Sequence, residues 1–324
     1  MWWHDAPMPV VDTHADSLGD VVRGVRRLGE RSQSGQLDFP RMEAGGGTIQ
    51  FLSCWVEAEY KPERAGLRQL QYLDAFWRET EANRGKVEAV LGTADWLRVL
   101  QTNVLGVIPS VEGAEAVGTD PAMVRILYRL GVRLMSLTWN QRNALADGAG
   151  EDPGGGGVSR AGREILREMN RVGMVIDVSH LAEAGFWDVL EISSAPVIAS
   201  HSNCRRLAQH RRNLSDGQIR ALAQNGGVQG ITFVRPFLGA AADRDRVIDH
   251  IIHVLTVTGD DRHVGLGSDF DGVEDPVPGL EDVTRLPQLA DRMSERGLPD
   301  TTIRRVFGQN YQDFFLTAWG NRRS

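Results

Sequence analysis

Short apolar runs rich in valine and isoleucine recur along the chain between longer amphipathic segments, the pattern of a parallel sheet covered by helices. Eight runs carry it: "MPVVDTHAD" from residue 8, "GTIQFLSCWV" from 47, "VLGVIPSVEG" from 104, "VRLMSLTW" from 132, "GMVIDVSH" from 173, "PVIASHS" from 196, "GGVQGITF" from 226 and "HVGLGSDFDG" from 263. Between them lie helical stretches such as "RAGLRQLQYLDAFWRETEANRG", "AMVRILYRLG", "AGREILREMNRVG", "AEAGFWDVLEISS", "SDGQIRALAQNGG" and "DRDRVIDHIIHVLTVTG", several ending at glycine. "PDTTIRRVFGQNYQDFFLTAW" reads as a closing helix with Asn310 partway along. The pattern predicts an α/β fold: a (β/α)8 TIM-type barrel forming one catalytic domain over residues 1–324, with its chemistry at the carboxyl ends of the strands.

Six of the eight runs finish on a residue able to bind metal, move protons or shape a pocket. The first carries His14 and Asp16, two apart and therefore on one side of an extended chain. The third ends in Glu112, the fourth in Trp139 and Asn140, the fifth in His180, the sixth in His201 and the eighth in Asp269 and Asp271. Imidazole nitrogen and carboxylate oxygen suit zinc and neighbouring divalent ions, and a carboxylate can bridge two of them. The set fits two ions: His14 and Asp16 on one, His180 and His201 on the other, Glu112 across both with a hydroxide between. Asp269, uncommitted to metal in this scheme, is the candidate acid/base. The same donors would accept cobalt or manganese.

The remaining candidates read as structural. His250 and His253 lie three apart on a helix with no carboxylate partner beyond Asp249, and His4, His210 and His263 carry no pattern. Asp12 and Asp177 precede ligands on their strands and suit a hydrogen-bonding role as well as support for the ligands. The glycine-rich stretch "EDPGGGGVSRAGREIL" lacks the Gly-Lys-Ser/Thr of a phosphate cradle and reads as a loop ending in Ser159 as a helix cap.

Composition narrows the partners. Hydrophobic residues at 41% and charged residues at 24% describe a globular enzyme, and a net charge of -7 disfavours nucleic acid. Arg205, Arg206, Arg211 and Arg212 form a local basic cluster suited to a small anion. Two cysteines, Cys54 and Cys204, need no disulfide framework, and neither a secretory leader nor a membrane span is legible. A cytoplasmic protein with no membrane partner is expected.

The segments "VVDTHADSL", "LDFPRMEAGGGTIQF", "GVIPSVEGAEAV", "LYRLGVRLMSLTWN", "GMVIDVSHLAEAGFWDVLEISSAPVIASHSNCRRLAQHRRNLSD" and "VGLGSDFDGVEDPVPGLEDV" run in order from about residue 10 to 285 and resemble the renal or membrane dipeptidase family of amidohydrolase-like enzymes. The resemblance implies a binuclear zinc peptidase that cleaves dipeptides, tolerates a D-residue at the carboxyl-terminal position and forms a homodimer. It matches His14 and Asp16 to one zinc, His180 and His201 to the other, Glu112 to the bridging carboxylate, Asp269 to the acid/base and Arg212 to the arginine that grips the substrate carboxylate. One departure stands out: Trp139 occupies the place of a histidine that touches substrate or oxyanion in the mammalian enzymes. Indole offers one donor and a flat wall, so that contact passes to a neighbour such as Asn140 and substrate preference shifts. The alternatives are amidohydrolase-like activity on N-acyl amino acids or cyclic amides, and a metal-binding barrel without turnover.

Overall fold

The computed structural model describes residues 8–240 and 242–320; His4 lies outside them. Each of the eight apolar runs contains a strand: β1 Val11–Ala15, β2 Ile49–Trp55, β4 Leu105–Glu112, β5 Leu134–Ser136, β6 Val175–Asp177, β7 Ile198–Ala199, β8 Val228–Ile231 and β9 Val264–Leu266. Every pairing among these strands is parallel, and β2 to β4 together with β9 to β1 closes the ring. Parallel strands with both faces covered read as continuous apolar runs, which is why they were legible. The additional strand β3, Val87–Ala89, was not. Only three residues long, it lies along the first half of β4, where Val87 to Ala89 face Leu105 to Val107.

The covering helices start and stop where the chain supplies caps. Ser215 and Gln218 form a reciprocal capping box before the helix Asp216–Gln224, and Ser159 accepts from Gly162 N to open the helix Arg160–Val172, as expected of that loop. The closing helix departs from a single run: it divides into Asp300–Arg304, a wide turn over Arg305–Gln309, and Asn310–Gly320. Gly308 sits in that turn against the Pro9 carbonyl, which a side chain there would strike at 2.2 Å. The Asn310 amide donates to Asp261 O and Val264 O, tying the last segment to the start of β9.

That segment plugs the amino-terminal end of the barrel. Tyr311, Phe314 and Phe315 form one buried cluster with Val11, Ile49, Phe51, Ile108, Leu134, Val175, Ile198 and Val228. The Tyr311 hydroxyl donates to Leu266 O at 2.9 Å and lies 3.1 Å from Thr13 Oγ1. Gly265 admits the ring, because a Cβ there would come within 2.4 Å of it. A filled lower barrel leaves the carboxyl ends of the strands as the open mouth. Among the described residues no helix is long and apolar enough to cross a membrane.

His250 belongs to this framework. It is fully buried, its Nδ1 accepts from Cys204 N at 3.0 Å, and its Nε2 lies 3.3 Å from Leu238 O. Burial is the main reason its imidazole is pushed down to about 4. Below about pH 6.5 the unfolded chain takes up a proton that the folded chain refuses until about pH 4. Stability present above pH 6.5 is therefore lost as pH falls through that window. His250→Gln is expected to flatten the slope of unfolding free energy against pH by up to about 1.4 kcal/mol per unit. Urea midpoints measured from pH 4 to 7 check this, and equal slopes in both proteins contradict it.

Candidate metal centre

The strand ends bring the sequence's candidate donors to one place. His14 lies in β1 and Asp16 directly after it, Glu112 is the last position of β4, His180 and His201 come from the turns after β6 and β7, and Asp269 from the turn after β9. Ligand atoms of His14, Glu112 and His201 all lie within 4.8 Å of one another, and so do those of His14, Asp16 and Asp269. Asp269 thus stands inside the donor group.

Glu112 divides the set. Its Oε2 lies 3.4 Å from His14 Nε2, while its Oε1 lies 2.7 Å from His180 Nε2 and 3.4 Å from His201 Nε2. The first side is completed by Asp16 Oδ1 and Asp269 Oδ1, 3.8 and 3.9 Å from His14 Nε2. The second is tight: His180 Nε2 and His201 Nε2 are 2.8 Å apart. Asn140 Oδ1 accepts from His180 Nδ1 at 2.9 Å, which turns the lone pair of Nε2 toward Glu112.

The donor chemistry fits divalent cations. His14 Nε2 and Asp16 Oδ1 are buried with no hydrogen-bond partner, facing each other across a gap that a cation would fill. Burial alone would lower the His14 imidazole, yet the Glu112 and Asp16 carboxylates hold it well above its ordinary value. Burial lowers His180 to about 3, helped by the Arg212 charge, and lowers His201 well below its ordinary value, helped by His14. Burial would raise Glu112, but His14 and His180 bring it well down. Positive charge is favoured between Glu112, Asp16 and His14. Asp269 is raised to about 7, first by burial and then by the Asp16 and Glu112 charges, against a pull from His14.

Backbone geometry bears the cost of this convergence. His180 and Asp269 adopt left-handed φ of 69° and 66°, as does Asp271 at 66°, an arrangement that concentrates at functional sites. Asp271 ties its turn down, accepting from Gln36 N, Arg26 Nη2 and the Ser17 hydroxyl. Gly272 lies so close that a Cβ would come within 2.2 Å of Asp269 Oδ1 and 2.4 Å of Asp16 Oδ2.

A cavity of about 330 Å³ opens over the centre, lined by Asp16, Glu112, His180 and Asp269 together with Trp55, Tyr72, Trp139, Asn140, Val234 and Phe237. Its size is that of a small-molecule site. Trp55, Tyr72 and Phe237 had no signal in the sequence beyond being aromatic, since Tyr72 arrives from a helix face and Phe237 from a short helix after β8. Arg212 is not among the lining residues. It lies buried near Phe237, its guanidinium carbon 5.5 Å from the centre of that ring, donating to His201 O at 3.0 Å and Ser202 Oγ at 3.3 Å. Its Nε is buried without a partner, and among the described residues no carboxylate forms an ion pair with it.

The outlying candidates stay outside. His250 is bonded as described, and His253 pairs with Asp216 at 2.8 Å. Cys54 and Cys204 are buried free thiols. Arg205 pairs with Glu183 at 2.7 Å.

Comparison with known proteins gives the chain a family. Residues 5–318 match the family model described as membrane dipeptidase, peptidase family M19. A dipeptidase named tcpJ from Claviceps purpurea is 35% identical over 291 residues, 86% of this chain and 68% of that protein. The crystal structure of dipeptidase AC, a metallopeptidase of family M19, superposes with a TM-score of 0.91 at 30% identity, covering 97% of this chain and 99% of the other. A metallopeptidase from Rhodobacter sphaeroides, solved with a phosphinate mimic of the dipeptide L-Ala-D-Ala, gives a TM-score of 0.91 at 28% identity over 97% of this chain and 100% of the other. The chain belongs to the membrane dipeptidase family, peptidase family M19, and is with it a metallopeptidase.

Proposed function

We propose that the protein hydrolyses dipeptides, including those with a D-residue at the carboxyl end, with two divalent ions, zinc by the character of the donors. The observation that carries the reading is Glu112, whose two oxygens face different donor groups. The dipeptide mimic bound by the Rhodobacter sphaeroides relative supports the substrate class. His14 and Asp16 would hold one ion, His180 and His201 the other, and Glu112 both. Bound ions would supply Lewis acidity toward the scissile carbonyl and lower the pKa of the attacking water.

The chain's own groups do the rest. Asp269, partly buried and raised to about 7, accepts a proton in its ionised form, which nearby cations favour, and then returns it to the leaving amine. Arg212 supplies an unpaired buried positive charge for the substrate carboxylate, where a planar guanidinium can bond two oxygens. Asn140 spends its Oδ1 on His180 and keeps its amide hydrogens for the substrate, beside the Trp139 wall. Trp55 stands 5.3 Å from Trp139, giving the cavity an aromatic side.

Purified protein is expected to carry close to two divalent ions per chain and to lose dipeptide hydrolysis on chelation, with recovery on adding zinc, cobalt or manganese. Hydrolysis that persists with metal content near zero rules the reading out. Asp269→Asn should lower kcat by at least about 10²-fold, the usual worth of a general base, and a kcat within threefold of wild type removes Asp269 from proton transfer. On a panel of L,L- and L,D-dipeptides, their carboxyl amides and N-acetyl amino acids, the free dipeptides should be preferred. Arg212→Met should raise KM for them by at least about tenfold, the loss of one charge-assisted contact, and erase the preference over amides. Arg23→Met, which removes the exposed arginine at the cavity rim, should leave that preference intact; the reverse outcome moves the anchor to Arg23.

A further inference from the structure

Two buried clasps of the same make sit beside the metal-ligand strands. In one, Asp12 on β1 accepts from Ser268 N at 2.9 Å, from the Ser268 hydroxyl and from His14 N. In the other, Asp177 on β6 accepts from Ser200 N at 3.0 Å, from the Ser200 hydroxyl and from Ser179 N. Ser268 and Ser200 are both fully buried. The clasps differ at one end. Ser268 is followed by Asp269, and among the described residues its hydroxyl otherwise meets only the His14 carbonyl and Phe270 N. Ser200 is followed by His201, and its Oγ lies 2.7 Å from His201 Nδ1.

That contact decides the imidazole's tautomer. A carboxylate offers only lone pairs, so the single Ser200 hydroxyl proton goes to Asp177 Oδ2. The Oγ lone pairs then accept from His201 Nδ1, which must carry the ring proton. His201 Nε2 is left as a lone pair directed at Glu112 Oε1 and His180 Nε2. The ring's backbone is fixed by the same group, because His201 N donates to Ser179 Oγ at 3.1 Å. We propose that Asp177, acting through Ser200, is a positioning residue that holds His201 as a metal-ready tautomer, and that the Asp12 clasp is its purely structural counterpart. This rests on the two-ion reading above.

The test compares Ser200→Ala with Ser268→Ala, which remove equivalent buried hydroxyls. Zinc and cobalt are titrated into chelated protein, with ions per chain and the cobalt absorption spectrum as readouts, and urea midpoints are taken on the metal-free forms. Ser200→Ala should bind one ion as wild type does and the other about 10- to 100-fold more weakly, the usual effect of losing an outer hydrogen-bond partner, with half the cobalt spectrum changed. Ser268→Ala should keep both constants, while the two metal-free midpoints fall alike. Asp177→Asn, of the same shape, should reproduce the selective loss and serves if Ser200→Ala does not fold. Two wild-type constants in Ser200→Ala and Asp177→Asn, or an equal loss in Ser268→Ala, overturn the proposal. A wild-type protein that binds no ion pair instead defeats the proposed function, and the relay with it.

Discussion

Glu112, buried, and Asp16 and Asp269, partly buried, are drawn to one end of the barrel beside three imidazoles, where like charges are held close together. Burying a carboxylate is costly unless positive charge or several donors meet it, and here the hydrogen-bond partners fall short of the lone pairs. The result is legible in the groups themselves. His14 is held toward its charged form, Asp269 is raised toward its neutral one, and Asp16 is raised by burial and by Glu112. Cations at the two faces of Glu112 would relieve all three at once. The centre is built around a charge deficit, and the fold has to hold that deficit in place.

The scaffold does so by being stiff beneath the site and strained at its rim. Tyr311 and Phe315 fill the barrel from below, so the strand ends cannot collapse inward to bring the carboxylates into better company. At the rim, His180 and Asp269 keep left-handed backbone that neither residue would choose freely. Asp271, bonded to Arg26 and Gln36, anchors one of these turns, and Gly272 gives the carboxylates room. Rigid placement of this kind is what a preorganised electrostatic site requires.

Much of this could be read from the chain because two signals coincided. Valine- and isoleucine-rich runs marked the strands, and each donor stood where a run ended, so fold and candidate site were inferred from the same residues. β3 escaped because three residues of "VEA" carry no apolar run, and the break at Arg305–Gln309 escaped because five residues of wide turn are too few to show as a change of period. Asp269 was expected at this barrel end as an acid/base uncommitted to metal; that left-handed backbone brings its carboxylate within 3.9 Å of His14 Nε2 is a detail no spacing rule conveys. Tyr72 and Trp55 entered the cavity wall through tertiary packing alone. Ser200 had a faint signal, being the residue before His201 in "ASHS", but a serine beside a histidine acquires meaning only when Asp177 closes the clasp.

The most direct measurement is anomalous X-ray diffraction at the zinc edge from crystals of zinc-loaded protein. The account predicts two peaks about 3.5 to 4 Å apart, the spacing of paired catalytic ions, one beside each oxygen of Glu112. A single peak, or peaks away from Glu112, would contradict it.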